Sequence, residues 1–104
     1  MYTVALYNKQ YNVEPRRTTY EHTGELAVIL YDDEGCFADI TVCLPNKSFE
    51  LDNDMAFIDV NNCPWAIEFL ENNNIAVFTG VYVHSGFVQY PLYKFNLEVI
   101  KSWD

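Results

Sequence analysis

Basic residues are scarce in this chain: six Lys and Arg stand against fifteen Asp and Glu, for a formal net charge of −9 over 104 residues. A field of that sign repels phosphate backbones, which argues against direct binding to nucleic acid. No stretch approaches the roughly twenty apolar residues of a membrane span, and residues 1–7 lack the basic start, apolar run and cleavage site of a secretory leader. A cytoplasmic protein with no membrane partner is therefore expected. Glycine and proline number four each, few for a linker-rich chain, while half the residues are hydrophobic and 16% are aromatic. Enough apolar surface is present to build a core, and the length suits one domain spanning residues 1–104. The three cysteines, Cys36, Cys43 and Cys63, are odd in number and irregularly spaced, so they read as reduced core thiols.

The charge is not evenly spread. Twelve of the fifteen acids fall between Glu21 and Glu71, where Lys47 is the single base, so that stretch carries −11 and the flanks together +2. Such segregation concerns partners and association rates, and it points to a basic protein surface.

Along the chain, residues 2–7 form a short β-like run, followed by polar residues to Arg17 with Pro15 as a breaker and a weaker strand over 18–23. Residues 26–31 are all apolar or aromatic, which predicts a central strand covered on both faces. Asp32-Asp33-Glu34-Gly35 is a turn, and the run beyond it alternates, with Cys36, Ala38, Ile40, Val42 and Leu44 on one face. Together they predict a β-hairpin, its even face packed on Trp65, Phe69 and Leu70. A further strand is expected over 56–60, and Asn61-Asn62-Cys63-Pro64 reads as a helix start, since Asn caps free N–H groups and proline suits a first turn.

That helix is expected over 64–72, with Trp65, Ala66, Phe69 and Leu70 on one stripe, and the Asn run at 72–74 ends it. Residues 75–83 and 87–97 are strand-like about His84-Ser85-Gly86, and the last residues are expected to fray or make a short helical turn. The fold class that follows is α+β: a mostly antiparallel sheet of about six strands with one short helix packed on it.

Catalytic signatures are missing from this pattern. The cysteines and the two histidines lack the paired spacing of a zinc site, and Asp52-Asn53-Asp54 lacks the glycine and closing glutamate of a calcium loop. Ser85 follows His84 directly, but strand neighbours point to opposite faces, and the glycine that precedes a nucleophile elbow is absent. No glycine-rich phosphate loop is present either. A non-enzymatic protein with no metal and no cofactor is expected.

Two segments resemble a known family. Val60-Asn61-Asn62-Cys63-Pro64-Trp65-Ala66-Ile67-Glu68-Phe69-Leu70, followed by Ser85-Gly86-Phe87-Val88-Gln89-Tyr90-Pro91-Leu92-Tyr93-Lys94-Phe95, is similar to small proteins of unknown function carried on prophages, plasmids and conjugative elements, especially in gut bacteria. The resemblance covers residues 56–97, with the 26–44 hairpin fitting in outline. The chain departs from it over 75–83, β-like here where the family has a Gly-rich polar loop. The mobile-element setting implies an inhibitor of host defence, of anti-CRISPR or anti-restriction type. Such an inhibitor fills the basic groove of a nuclease or other nucleic-acid-binding enzyme with carboxylates, the candidates being Asp32, Asp33, Glu34, Asp52, Asp54 and Asp59. An alternative is a small-ligand module for a nucleotide signal or sugar, with Asn61, Asn62, Trp65, Ser85, Phe87, Tyr90 and Tyr93 lining a pocket. A third is an acidic interaction domain with no defence role.

Overall fold

The computed structural model describes residues 2–45 and 49–102. Nine strands and one helix form two sheets: β1 (Tyr2–Leu6), β2 (Lys9–Thr19), β3 (Leu26–Asp32), β4 (Gly35–Asp39), β5 (Thr41–Val42), β6 (Met55–Ile58), α1 (Ala66–Asn72), β7 (Ala76–Ser85), β8 (Val88–Phe95) and β9 (Lys101–Ser102), with a 3₁₀ turn at Leu97–Val99. The first sheet runs β1-β2-β3-β4, with β9 joining β2, and the second runs β5-β6-β8-β7. Every pairing is antiparallel except the short β2–β9 contact. The α+β class holds, with nine strands in place of the expected six.

The extra strands come mainly from the segment that reads as polar. β2 is eleven residues long and runs straight through Pro15. Its first half pairs with β1 up to Tyr2↔Val13, and its second half pairs with β3 from Glu14↔Tyr31 onward. A proline at that changeover is tolerated, because a missing N–H costs least where one set of pairings ends and another begins. Residues 18–23 split: the strand stops at Thr19 and a turn follows.

The hairpin about Asp32–Gly35 forms as expected, with Gly35 at a φ of +120° that disfavours a side chain. Its even face holds in part: Ala38 and Ile40 pack on the core that the helix shares, and Cys36 does not. Leu30 pairs with Ala38 but Tyr31 pairs with Cys36, so Phe37 is an extra residue on β4, and a bulge of this kind reverses which side chains face inward. Cys36 is exposed, and Phe37 packs against Trp65 with ring centroids 5.9 Å apart. The expected run of one strand also breaks at Ile40, which gives its N–H to the carbonyl of Val28 and its carbonyl to the N–H of Asp59. Ile40 thus ties the two sheets together, and Thr41 and Val42 belong to the second sheet.

The main core lies between the first sheet, α1 and one face of the second. Val4, Val13, Leu26, Val28, Leu30, Ile40, Ile58, Leu70 and Ile75 meet there. Phe69 is 6% exposed, and the helix stripe Ala66, Phe69, Leu70 faces inward as its spacing requires. A row of aromatic contacts seats the helix: Tyr2 against Phe69, Phe69 against Trp65, Trp65 against Phe37, Phe37 against Tyr11. A second, smaller core covers the opposite face of the second sheet. Phe57 and its cross-strand partner Leu92 pack there with Leu44, so Leu44 leaves the helix core to which its parity assigned it. Burial on both faces explains the unbroken apolar run of β6.

The helix entry also differs. Trp65 is the N-cap residue and no side chain caps the free N–H groups. Asn62 instead donates from its backbone and its side-chain amide to the Asp59 carboxylate, at 3.3 and 2.9 Å, and shapes the turn before the helix. The exit is as the sequence suggests: Asn73 Nδ2 donates to the Phe69 carbonyl at 2.8 Å, and Asn74 takes a left-handed φ of 55°.

Candidate functional site

The candidate carboxylates sit on three stations. Asp33 and Glu34 are exposed at the tip of the β3–β4 hairpin, and Asp32 Oδ1 accepts the Glu34 N–H at 2.8 Å, which fixes the turn. Asp52 and Asp54 lie before β6: Asp52 is exposed, and the Asp54 carboxylate faces Lys94 Nζ at 3.8 Å. Asp59 lies beyond the other end of β6, held by Asn62. The four residues of β6 therefore separate Asp54 from Asp59.

At Asp59 the fold adds a carboxylate absent from the candidate set. Asp39 accepts from the Thr41 backbone N–H at 3.3 Å and from its hydroxyl at 3.4 Å. Lost hydration, with the Asp59 charge nearby, pushes the Asp39 carboxyl above its ordinary range. Tyr20 closes the corner, its hydroxyl 3.0 Å from Thr41 Oγ1. Burial first, then the charges about it, raise the phenol to about 12. Asp39-Ile40-Thr41 is the readable signal for this corner, since an acid two residues before a Thr N–H is the pattern of an Asx turn.

Two of the six bases are held by one acid. Arg16 Nε and Lys101 Nζ converge on Glu14 at 3.1 and 2.8 Å, and the Lys101 bond followed by the Arg16 bond holds the Glu14 carboxyl below its usual range. Among ion pairs between described residues, Asp54–Lys94 is the one that draws on residues 21–71. Lys47 lies outside the described residues.

The seven candidate pocket residues do not share a cavity. Asn61 and Asn62 are exposed in the turn before α1, while Trp65 is packed between Phe37 and Phe69. Tyr93 is buried on the inner face of the second sheet, where its hydroxyl donates to Glu71 Oε2 at 2.5 Å. Burial, and then that carboxylate, push the Tyr93 phenol well above its ordinary range. Tyr90 packs on the opposite face with Leu44, Phe57 and Leu92. Ser85 ends β7, and Phe87 at the hairpin tip is fully exposed. Alternation along β8 accounts for the separation of Tyr90 from Tyr93.

One cavity, of about 270 Å³, involves Trp65, Thr3 and Phe69. Another, of about 590 Å³, lies between the 53–54 loop, the start of β7 and the 3₁₀ turn. Asp54 and Lys94 form part of its wall, with Asn53, Asn74 and Asn96.

The groups that carry nucleophilic chemistry elsewhere are poorly prepared here. Cys63 is buried, and burial with the charges of Asp59 and Asp39 pushes its thiol up, which keeps the weaker nucleophile in place at neutral pH. Cys43 is half-buried, its thiol donating to Glu25 Oε1 at 3.3 Å, so of the three free thiols Cys63 alone is a core residue. No group of three or more His, Cys, Asp and Glu among the described residues is placed to hold a metal ion.

A feature that sequence reading passed over lies on the second sheet. Residues 72–93 contain no Lys, Arg, Asp or Glu, in a chain whose net charge is −9. Within that span β7 is an edge strand that leaves Val77, Phe78, Val81 and Tyr82 exposed.

Fold and surfaces together describe an acidic two-sheet α+β protein whose charged turns and uncharged edge are separate features. The chain belongs to the family defined by the domain of unknown function DUF4313, whose model matches residues 17–104. No curated protein and no solved structure matches it. No helix is long and apolar enough to cross a membrane, among the described residues.

Proposed function

We propose that this protein is a non-enzymatic, cytoplasmic interaction module that presents carboxylates to a basic protein surface, and that its target is a nucleic-acid-binding enzyme of a host defence system. The observation that supports this reading is the surplus of acid in the turns. Asp33, Glu34 and Asp52 are exposed, and Asp54 has a lysine only at 3.8 Å. Carboxylates on exposed turns steer a basic partner and set its register, and they contribute little to the fold itself. The β3–β4 tip is the leading contact, with Asp39 and Asp59 one strand away at the sheet crossover; β4 is five residues, roughly 17 Å of chain. The defence role rests on the likeness to proteins of mobile elements.

Dispersal of Trp65, Phe87, Tyr90 and Tyr93 over different faces counts against the small-ligand alternative. The test is a plasmid-transformation assay in bacteria that carry a CRISPR or restriction system, with and without the expressed protein. Transformation should recover by at least tenfold, and the recovery should be lost with Asp32→Asn, Asp33→Asn and Glu34→Gln combined. Unchanged transformation across representative systems of both kinds would overturn the defence role.

A further inference from the structure

β7 is the open edge of the second sheet, and edge strands usually carry a device against pairing with another chain: a lysine, a proline, an inward-pointing charge or a bulge. Lysine, proline and charge are all absent from Ala76 to Val88, and the bulge leaves the strand beyond it unprotected. At that bulge Phe78 pairs with Tyr93 and Tyr82 with Pro91. Thr79, Gly80 and Val81 therefore face the single residue Leu92. Thr79 Oγ1 donates to the Leu92 carbonyl at 2.8 Å and accepts the Val81 N–H at 3.2 Å, while Gly80 sits at a φ of +92°. Beyond the bulge Tyr82–Ser85 is regular strand again, and its outer side has no partner among the described residues. Val77 is 62% exposed, Tyr82 55%, and Phe87 is bare.

We infer that β7 is a self-association edge: a second copy of this chain pairs antiparallel along Tyr82–Ser85 across a two-fold axis and joins the two second sheets into one of eight strands. Charge permits this occupant at the edge alone. Two bodies of −9 repel wherever their acidic turns meet, whereas the outer half of the β7–β8 hairpin, where Tyr82–Ser85 pair with Val88–Pro91, carries no Lys, Arg, Asp or Glu and lets them approach. A strand edge is self-complementary by geometry, each copy offering the donors and acceptors the other needs. Area is compatible as well. The exposed parts of Val77, Phe78, Val81, Tyr82 and Phe87 amount to several hundred Å² per copy before the backbone is counted, against about 800 Å² per partner in a standard interface. The inference does not rest on the proposed function, because it uses different residues and the opposite response to salt.

Sedimentation velocity of the purified full chain at 50 and 500 mM salt tests it. The expected species has twice the 12.1 kDa mass of the chain at tens of micromolar, and it tightens severalfold at high salt as screening removes the repulsion between the acidic bodies. Tyr82→Lys and, separately, Phe87→Lys should each weaken the dimer at least tenfold with circular dichroism unchanged. Phe87 is fully exposed, so its replacement leaves the fold intact, and an added lysine lowers the overall repulsion, so a loss must be local. A monomer at both salts up to about 100 μM would overturn the inference. So would a dimer that loosens with salt or that both lysine variants leave intact.

Discussion

Phe69 shows how much one side chain can carry in a core of this size. It is 6% exposed and meets both Tyr2 and Trp65 edge-on, so truncation empties a space that rigid rings on either side cannot close. Phe69→Ala should cost about 3–5 kcal/mol, read from urea unfolding with an unchanged slope. Two tyrosines set the alkaline limit. Tyr20 is raised to about 12 by burial and the nearby charges, and Tyr93 is raised by burial and by Glu71, so in the fold both keep their protons after the unfolded chain has lost them near pH 10. The native state then binds more protons than the unfolded one. Stability from these groups is full below about pH 10 and falls as pH rises toward 12, and melting temperatures from pH 8 to 11 should drop with that sign. Tyr93→Phe should reduce the drop; an equal drop in the variant would assign it elsewhere.

Elements with strong local signals were legible in the sequence, and those set by pairing across distance were not. Residues 26–31 and the turn at Gly35 announce themselves through an unbroken apolar run and a residue that accepts positive φ, and both are in place. The Trp65 to Leu70 stripe is legible for the same reason, since helix periodicity is local. β2 was not legible, because Lys9, Gln10, Asn12, Glu14, Arg16 and Arg17 are held in a strand by neighbours on two sides and not by their own propensity. The bulge at Phe37 was equally hidden: one unpaired residue turned Cys36 outward and Phe37 inward, while Ala38 kept its expected side.

The candidate site divides in the same way. The exposed turn at 32–34 is visible as a charge run, whereas the approach of Asp39 to Asp59 depends on Ile40 joining two sheets. The charge-free span 72–93 is legible in composition, but which part of it forms an open edge depends on the pairing of β7 with β8. At the helix end, Asn74→Ala tests the left-handed exit directly. A φ of 55° disfavours a Cβ without the Asn amide, and the variant should lose about 1 kcal/mol by thermal or chemical unfolding.

At the scale of the whole molecule, the structure separates stability from charge. Its core is sheet against sheet with a helix seated by aromatic contacts, and none of Asp33, Glu34 or Asp52 takes part in that core. Their concentration on turns costs mutual repulsion and adds no packing, which accords with the proposed role of these turns as a partner surface. In the proposed function this acid meets a basic nucleic-acid-binding surface. It is tested by competition: titrating the protein into a fluorescent DNA duplex bound to a nuclease of a CRISPR or restriction system, at several salt concentrations. The expected result is displacement of the duplex, an affinity that weakens steeply with ionic strength, and at least tenfold weaker binding by the Asp32→Asn, Asp33→Asn, Glu34→Gln variant at an unchanged melting temperature. Binding that is indifferent to salt and to the three substitutions would contradict it.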